Sequence, residues 1–418
     1  MSDAQFAFKL VVSKLVLLAA ALGLLVATAR SSRAQALTVL YTFTGGTDGV
    51  GPYAGVALDG QGNLYGETVY GGDSRCAKQG CGTLFKLTQG GTETVLYRFP
   101  SGVKAQPVGG LTWDTKGNLY GTTQGFNAVD GGGGVFELEN GINLTWLHIF
   151  LPSADVYFPN GVVMDVDGNL YGATSEGGAE DGGIVFKVTP RRKETVVYNF
   201  AGGSDGRIPE GGLIWDAQGN LYGTTVGGGG FGCQDIGGCG TVFKVTPRGT
   251  ETVLYRFAGG VDGALPVAAL VMDEQGNLYG TTQNGGGTGC LFNSGVGCGT
   301  VFKLTPGGTE TVLYAFTGGA DGANPWAGLA IDAQGNLYGT TNQGGVGCQG
   351  YGCGTVFMLT PSGRETVLYR FTGGADGAYP SAGLIFDAQG NLYGTAPYGG
   401  NSSCNRGSGC GVVFKLTP

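Results

Sequence analysis

The sequence predicts an all-β fold, a seven-bladed β-propeller with four antiparallel strands per blade, and three observations carry that prediction. The pentapeptide Gly-Asn-Leu-Tyr-Gly occurs seven times, with its Asn at Asn63, Asn118, Asn169, Asn220, Asn277, Asn336 and Asn391, so that copies lie 51 to 59 residues apart. Each interval holds four short runs rich in Val, Leu, Phe, Tyr and Thr, bounded by Gly, Pro or Asp, which is the pattern of a four-stranded blade. The two chain ends also complement each other. Thr38-Val39-Leu40-Tyr41-Thr42-Phe43 matches a fourth strand such as Thr94-Val95-Leu96-Tyr97-Arg98-Phe99 but precedes the first complete unit, whereas the chain stops after a third strand, Val412 to Leu416. The N-terminal segment is therefore expected to complete the last blade and close the ring, leaving no large free sheet edge.

Blade 6 illustrates the elements in order. The first strand is expected over Ala327 to Asp332, the second over Asn336 to Thr341, the third over Gly354 to Thr360 and the fourth over Glu365 to Phe371. The first turn reads Asp-x-x-Gly-Asn in every unit, with Asp59, Asp114, Asp165, Asp216, Asp273, Asp332 and Asp387. An Asp that accepts backbone N–H groups, followed by a Gly free to take positive φ, builds a tight hairpin. A ring of carboxylates holding a cation is the other use of such aspartates, and the turn reading is preferred.

Ahead of the repeats, Lys9 and Lys14 precede an apolar run from Leu15 to Ala29, and Ala34-Gln35-Ala36 offers a small-residue cleavage site. Residues 1–36 are thus expected to be an export signal and 37–418 the propeller. The chain carries 23 Lys and Arg against 31 Asp and Glu; without residues 1–36 the balance is −11. Such a surface repels nucleic acid and anionic lipid, so neither is an expected partner, and no membrane association is expected after cleavage. The ten cysteines form five near-neighbour pairs, Cys76 with Cys81, Cys233 with Cys239, Cys290 with Cys298, Cys348 with Cys353 and Cys404 with Cys410. Local disulfides in an oxidising compartment follow. A zinc site would need Cys-x-x-Cys or several His, and the chain has one His.

In this strand order the loops between strands two and three share a face with the linkers between blades. That face holds the cysteines, the Gly-rich insertions and the linker motif Gly-Gly-x-Asp-Gly, with Asp48, Asp205, Asp262, Asp321 and Asp376. These aspartates read as turn formers; calcium is a weaker alternative, because one carboxylate per loop is few for a cation that takes six to eight oxygens. The residues flanking the linker proline enter the innermost strand, which places Tyr53, Phe158, Trp326 and Tyr379 near the channel rim as candidates for stacking on a sugar or planar ligand. Packing between linker and blade is the plainer role for them. Blades 2 and 3 lack both the cysteine pairs and the Gly-Gly-x-Asp-Gly linker.

No nucleophile–base arrangement is evident, and His148 occupies the place of Tyr97 in an outer strand. The unit Asp-x-x-Gly-Asn-Leu-Tyr-Gly-Thr-Thr, Cys-Gly-Thr-Val-Phe-Lys-Leu-Thr-Pro and Glu-Thr-Val-Leu-Tyr-x-Phe resembles the bacterial choice-of-anchor tandem-repeat family called GloVer over residues 38 to 418. The resemblance implies an exported repeat protein and brings no catalytic residue or cofactor. Members carry C-terminal anchors, whereas this chain ends at Pro418, so secretion or periplasmic residence is expected over retention at the cell surface. The expected function is a monomeric binding module for carbohydrate or a protein partner, without a cofactor. The alternative is a carbohydrate- or lactone-active enzyme using carboxylates on the loop-rich face.

Overall fold

Seven antiparallel sheets form, one per repeat; in six the strand order follows the chain, and in the last the N-terminal strand takes the outermost place beside the C-terminal one. The computed structural model describes residues 36–417 apart from 73–79, 101–105, 126–132, 151–155, 231, 234–236, 288–289, 291–296 and 405–406. The expected export signal lies outside the described residues except for Ala36, and no helix among the described residues is long and apolar enough to cross a membrane. In blade 6 the strands are Ala330–Ile331, Leu337–Thr341, Thr355–Leu359 and Glu365–Arg370. Blade 3 adds a fifth, Val156–Pro159, paired with a lengthened second strand, Leu170–Gly177.

The innermost strand is shorter than the sequence suggested, two residues instead of the 327–332 expected in blade 6. Its upstream carbonyls have other partners. Thr281 Oγ1 in blade 5 donates to the Ala327 carbonyl at 3.1 Å, and Thr224 and Thr395 treat Ala268 and Ala54 of the following blades in the same way. In five blades a threonine side chain therefore ties the blade to the next where a longer ladder would otherwise run.

Each residue of the repeated pentapeptide has a separate physical task. The first glycine adopts φ between +77° and +87° in all seven turns, a region that costs other residues strain. In blade 6 the Asn336 N–H donates to Asp332 Oδ1 at 2.8 Å, its side-chain amide donates to Oδ2 at 2.8 Å, and the Tyr338 hydroxyl donates to the same Oδ2 at 3.1 Å. The leucine is buried. The second glycine is needed for space. A Cβ on Gly66, Gly121, Gly172, Gly223, Gly280, Gly339 or Gly394 would lie 2.5 to 2.7 Å from the ring tip of the phenylalanine opposite on the third strand.

Those phenylalanines make the core. Each third-strand Phe receives, edge-on, the Phe that ends the fourth strand of the preceding blade. The seven pairs, Phe43–Phe85 through Phe371–Phe414, have ring centroids 4.9 to 5.7 Å apart. Gly339→Ala should therefore overpack the core and cost about 1–3 kcal/mol. Gly60→Ala, in open space and at a place where other turns carry Ala217, Ala333 and Ala388, should leave the melting temperature unchanged. Comparing the two melting curves checks the packing argument.

The ring closes as expected. Ala36–Thr42 pairs with Val412–Thr417, and Phe43 supplies the seventh edge-on ring. Register identifies the N-terminal segment as a true fourth strand. A bulge falls between Val39 and Tyr41, opposite Phe414 and Val413, just as it falls between Val367 and Tyr369, opposite Phe357 and Val356. His148 pairs with Val135 as Tyr97 pairs with Leu84, and packs edge-on against Phe150 at 4.7 Å. Burial pushes its pKa down, as expected of a packed ring away from the channel.

Candidate binding bowl

The disulfides and linkers that looked like separate motifs in the sequence form one unit in space. Cys233–Cys239, Cys290–Cys298, Cys348–Cys353 and Cys404–Cys410 are formed. Cys76, the expected partner of Cys81, lies outside the described residues. Each of these four bridges rests on the first glycine of the linker leaving its blade. A Cβ on Gly45, Gly259, Gly318 or Gly373 would lie within 2.1 to 2.7 Å of a bridge sulfur. The linker aspartates Asp48, Asp205, Asp262, Asp321 and Asp376 each accept the hydroxyl of a fourth-strand tyrosine at 2.9 to 3.1 Å. Each also accepts a backbone N–H at the start of its own linker, so these carboxylates clasp the turn they belong to.

The linker then reaches its proline through a strained residue. Gly51, Gln106, Phe158, Ile208, Leu265, Asn324 and Tyr379, each immediately before a proline, all have φ between +53° and +80°. This conformation is uncommon for any residue but glycine and a clear outlier for β-branched Ile208. Hydrogen bonds from two directions hold it. Leu265, Asn324 and Tyr379 donate their N–H to Cys239, Cys298 and Cys353, the second cysteine of the preceding blade, at 2.8 to 2.9 Å. The carbonyls of Ile208, Leu265 and Asn324 accept an N–H just beyond the second strand of their own blade, at 2.9 to 3.0 Å. Backbone strain maintained in this way clusters at ligand-facing sites.

The residue after each proline is thereby aimed at the propeller axis. Tyr53, Val108, Asn160, Glu210, Val267, Trp326 and Ser381 all line one bowl of about 780 Å3, which narrows below them to a channel of about 160 Å3 walled by glycine and alanine backbone. The next residue is Ala or Gly in every blade, yet the seven facing positions hold six residue types. Scaffold is constant and lining is variable.

The bowl is asymmetric. Blades 6 and 1 give Trp326, Tyr53 and Tyr70, while blades 2 to 4 give Gln106, Gln124, Phe158, Ser175, Glu176, Asp181, Arg207 and Ile208. Trp326 is 45% exposed, high for the largest aromatic side chain. Asn160 is held by a relay, accepting from Gln124 Nε2 at 3.0 Å and donating to Ser175 Oγ at 2.8 Å and the Pro209 carbonyl at 3.1 Å. The Tyr53 hydroxyl donates to that of Tyr398, and burial followed by this bond pushes its pKa up. Glu210 touches water from inside the bowl, and the surrounding protein raises its carboxyl above the usual range by desolvation.

Of the four aromatics expected at the rim, Tyr53, Phe158 and Trp326 share the bowl. Tyr379 is not among the lining residues; its ring stands edge-on to Tyr398 at 5.8 Å. The sequence reading missed Glu210 and Asn160, although aligning the seven linker prolines would have marked both as equivalents of Trp326.

Solved structures share this architecture at low identity. The extracellular domain of BT4673 from B. thetaiotaomicron, described as a proposed one-component system and, in a second structure, as a proposed hybrid two-component system, superposes with a TM-score of 0.56 at 11% identity in both cases. The alignments cover 91% of this chain and 40% and 39% of those chains, so this chain spans about two fifths of their length. A gluconolactonase from Xanthomonas campestris is more distant, with a TM-score of 0.40 at 12% identity over 93% of this chain and 92% of that one. No curated protein matches the sequence. The model of the Gloeobacter/Verrucomicrobia repeat matches residues 126–296 and 291–418, and the chain belongs to that family.

Proposed function

We propose that this protein is an exported propeller whose bowl binds a carbohydrate, acting as a recognition module and not as a catalyst. The observation that carries the reading is the exposed Trp326, set with Tyr53 and Phe158 around a cavity of about 780 Å3 whose other walls include amides, hydroxyls and charged side chains. Sugars offer apolar ring faces to aromatic side chains and hydroxyls to amides, and cavities of roughly 300–1,000 Å3 suit small ligands. Four disulfides and the likeness to extracellular domains support an oxidising location outside the cytoplasm, secreted or periplasmic. One chain supplies every wall of the bowl, in keeping with a monomer.

Calorimetric titration of the mature protein with a panel of neutral oligosaccharides tests the proposal. At least one should bind, and Trp326→Ala should weaken it by about 1–3 kcal/mol, the range for losing a stacked aromatic anchor. Binding unaffected by that change would place the site elsewhere. A second reading rests on Glu210, whose raised pKa suits a general acid in glycoside or lactone cleavage. Product release that Glu210→Gln abolishes, with binding retained, would favour catalysis.

A further inference from the structure

The bowl is acidic as well as aromatic, and the acid comes from the adjacent blades 3 and 4. Glu176 stands on the lengthened second strand of blade 3, Asp181 follows that strand, and Glu210 holds the ring position of blade 4. Arg207 is the one cation among the lining residues, which leaves two carboxylates in excess. Its Nε is buried without a hydrogen-bond partner, and no ion pair joins it to these carboxylates among the described residues. Asp181 Oδ1 accepts the Gly177 N–H at 2.9 Å and so fixes the loop that carries it. Facing this wall across the channel mouth are Trp326 and Tyr53, whose ring faces attract cations.

We propose that the bowl selects a cationic ligand, an amine-bearing or quaternary-ammonium sugar, with the positive group held between Glu210 and the aromatic wall. This rests on the carbohydrate reading and narrows it. Two features of the fold support recognition at this site. Ring positions vary in chemistry on a constant backbone, the arrangement expected where side chains select a ligand. The left-handed residue before each proline, hydrogen-bonded to neighbouring segments, fixes those side chains before the ligand arrives and lowers the ordering cost of binding. The chain's net charge of −8 adds long-range attraction for cations.

Two matched probe pairs test the idea by calorimetry at low ionic strength. The first is the N-trimethylated glucosamine tetrasaccharide against its N-acetylated counterpart. The second, without sugar, is choline against its neutral isostere 3,3-dimethylbutanol. The cationic sugar should bind about tenfold more tightly than the acetylated one, an advantage that added salt reduces. Glu210→Gln should remove most of that advantage, and Trp326→Ala should weaken both sugars. Equal affinities within both pairs would overturn the charge preference and leave the carbohydrate reading standing if the sugars bind. Discrimination of choline from its isostere, with neither sugar bound, would overturn the sugar assignment and retain the cationic one. An advantage that survives in Glu210→Gln would overturn the role given to that residue; its melting curve, matched to that of the unaltered protein, shows whether the variant is folded.

Discussion

Removal of residues 37–46 should abolish the single cooperative unfolding transition of the mature protein. The deletion takes away the outer strand of blade 7 and leaves Val412–Thr417 as an unpaired edge. It also removes Phe43, which is fully buried against Phe85, and so opens the seam between the last blade and the first. Losing one such ring alone costs about 3–5 kcal/mol as a Phe→Ala change. Gly45, the seat of the Cys404–Cys410 bridge, goes with the same segment. Together these losses are comparable to the whole stability of many domains, about 5–15 kcal/mol. Calorimetry should show a broad, low-temperature transition for the deleted form and an intermediate loss for Phe43→Ala. An unchanged melting curve would mean that the ring does not depend on its N-terminal strand.

The second large effect is a fall in stability from mildly acidic to alkaline pH, centred on Glu67. At this second-strand position five blades carry Thr122, Thr224, Thr281, Thr340 and Thr395, and blade 3 carries Ala173. Glu67 is only 1% exposed at the seam between blades 1 and 2. One oxygen accepts the Gly110 N–H at 3.1 Å, and the other is buried with no partner. Burial outweighs that hydrogen bond and pushes its pKa from 4.5 up to about 8. Between those values the folded protein keeps a proton that the unfolded chain has released. The stabilisation is therefore complete below about pH 4.5 and declines by about 1.4 kcal/mol per pH unit until the folded group ionises near pH 8.

Glu93, Glu251, Glu310 and Glu365 act in the same direction. Burial, then the nearby linker aspartates, raise them to about 7, although water screens these half-exposed groups and reduces their share. The turn aspartates Asp59, Asp114, Asp216, Asp273 and Asp387 oppose them at the acid end. Burial alone would raise their pKa, but hydrogen bonds from the turn Asn, Tyr and backbone pull it below 3.8. Their contribution is present above 3.8 and is lost as pH falls through the folded values. Stability should thus peak at about pH 4–5 and decline towards pH 8. In denaturant titrations Glu67→Gln should match the unaltered protein near pH 4.5 and exceed it at pH 8, where it keeps the hydrogen bond without the buried charge. A profile that is flat from pH 5 to 8 would show that Glu67 ionises freely.

Much of the fold was legible because its information is local and repeated. Asp332, Gly335, Asn336 and Tyr338 make a complete turn within seven residues, and seven copies fix the number of blades. Chain closure was legible because Val39 to Phe43 repeats the pattern of the internal fourth strands down to the place of the bulge. The length of the first strand was not, since its carbonyls are taken by threonines more than 40 residues away in sequence. The crowding at Gly339 was equally hidden, because only the paired strand brings Phe357 against it.

The rim shows the same division. Phe158 and Tyr379 are aromatic, precede a proline and share a left-handed backbone, so the sequence ranks them alike. In blade 7 the neighbouring second-strand extension offers Tyr398, and the Tyr379 ring stands edge-on to it; the corresponding place in blade 3 is Glu176, and Phe158 lines the bowl. By itself the sequence determined the repeat, the turns, the cysteine pairs, the closure and the face on which variation collects, since each depends on residues close in the chain or on periodicity. Only the tertiary structure decided which side chains meet around the axis. The bowl takes one or a few residues from each of several blades, and their convergence depends on strained linkers whose geometry is held by hydrogen bonds to the blade before and the strand beside them.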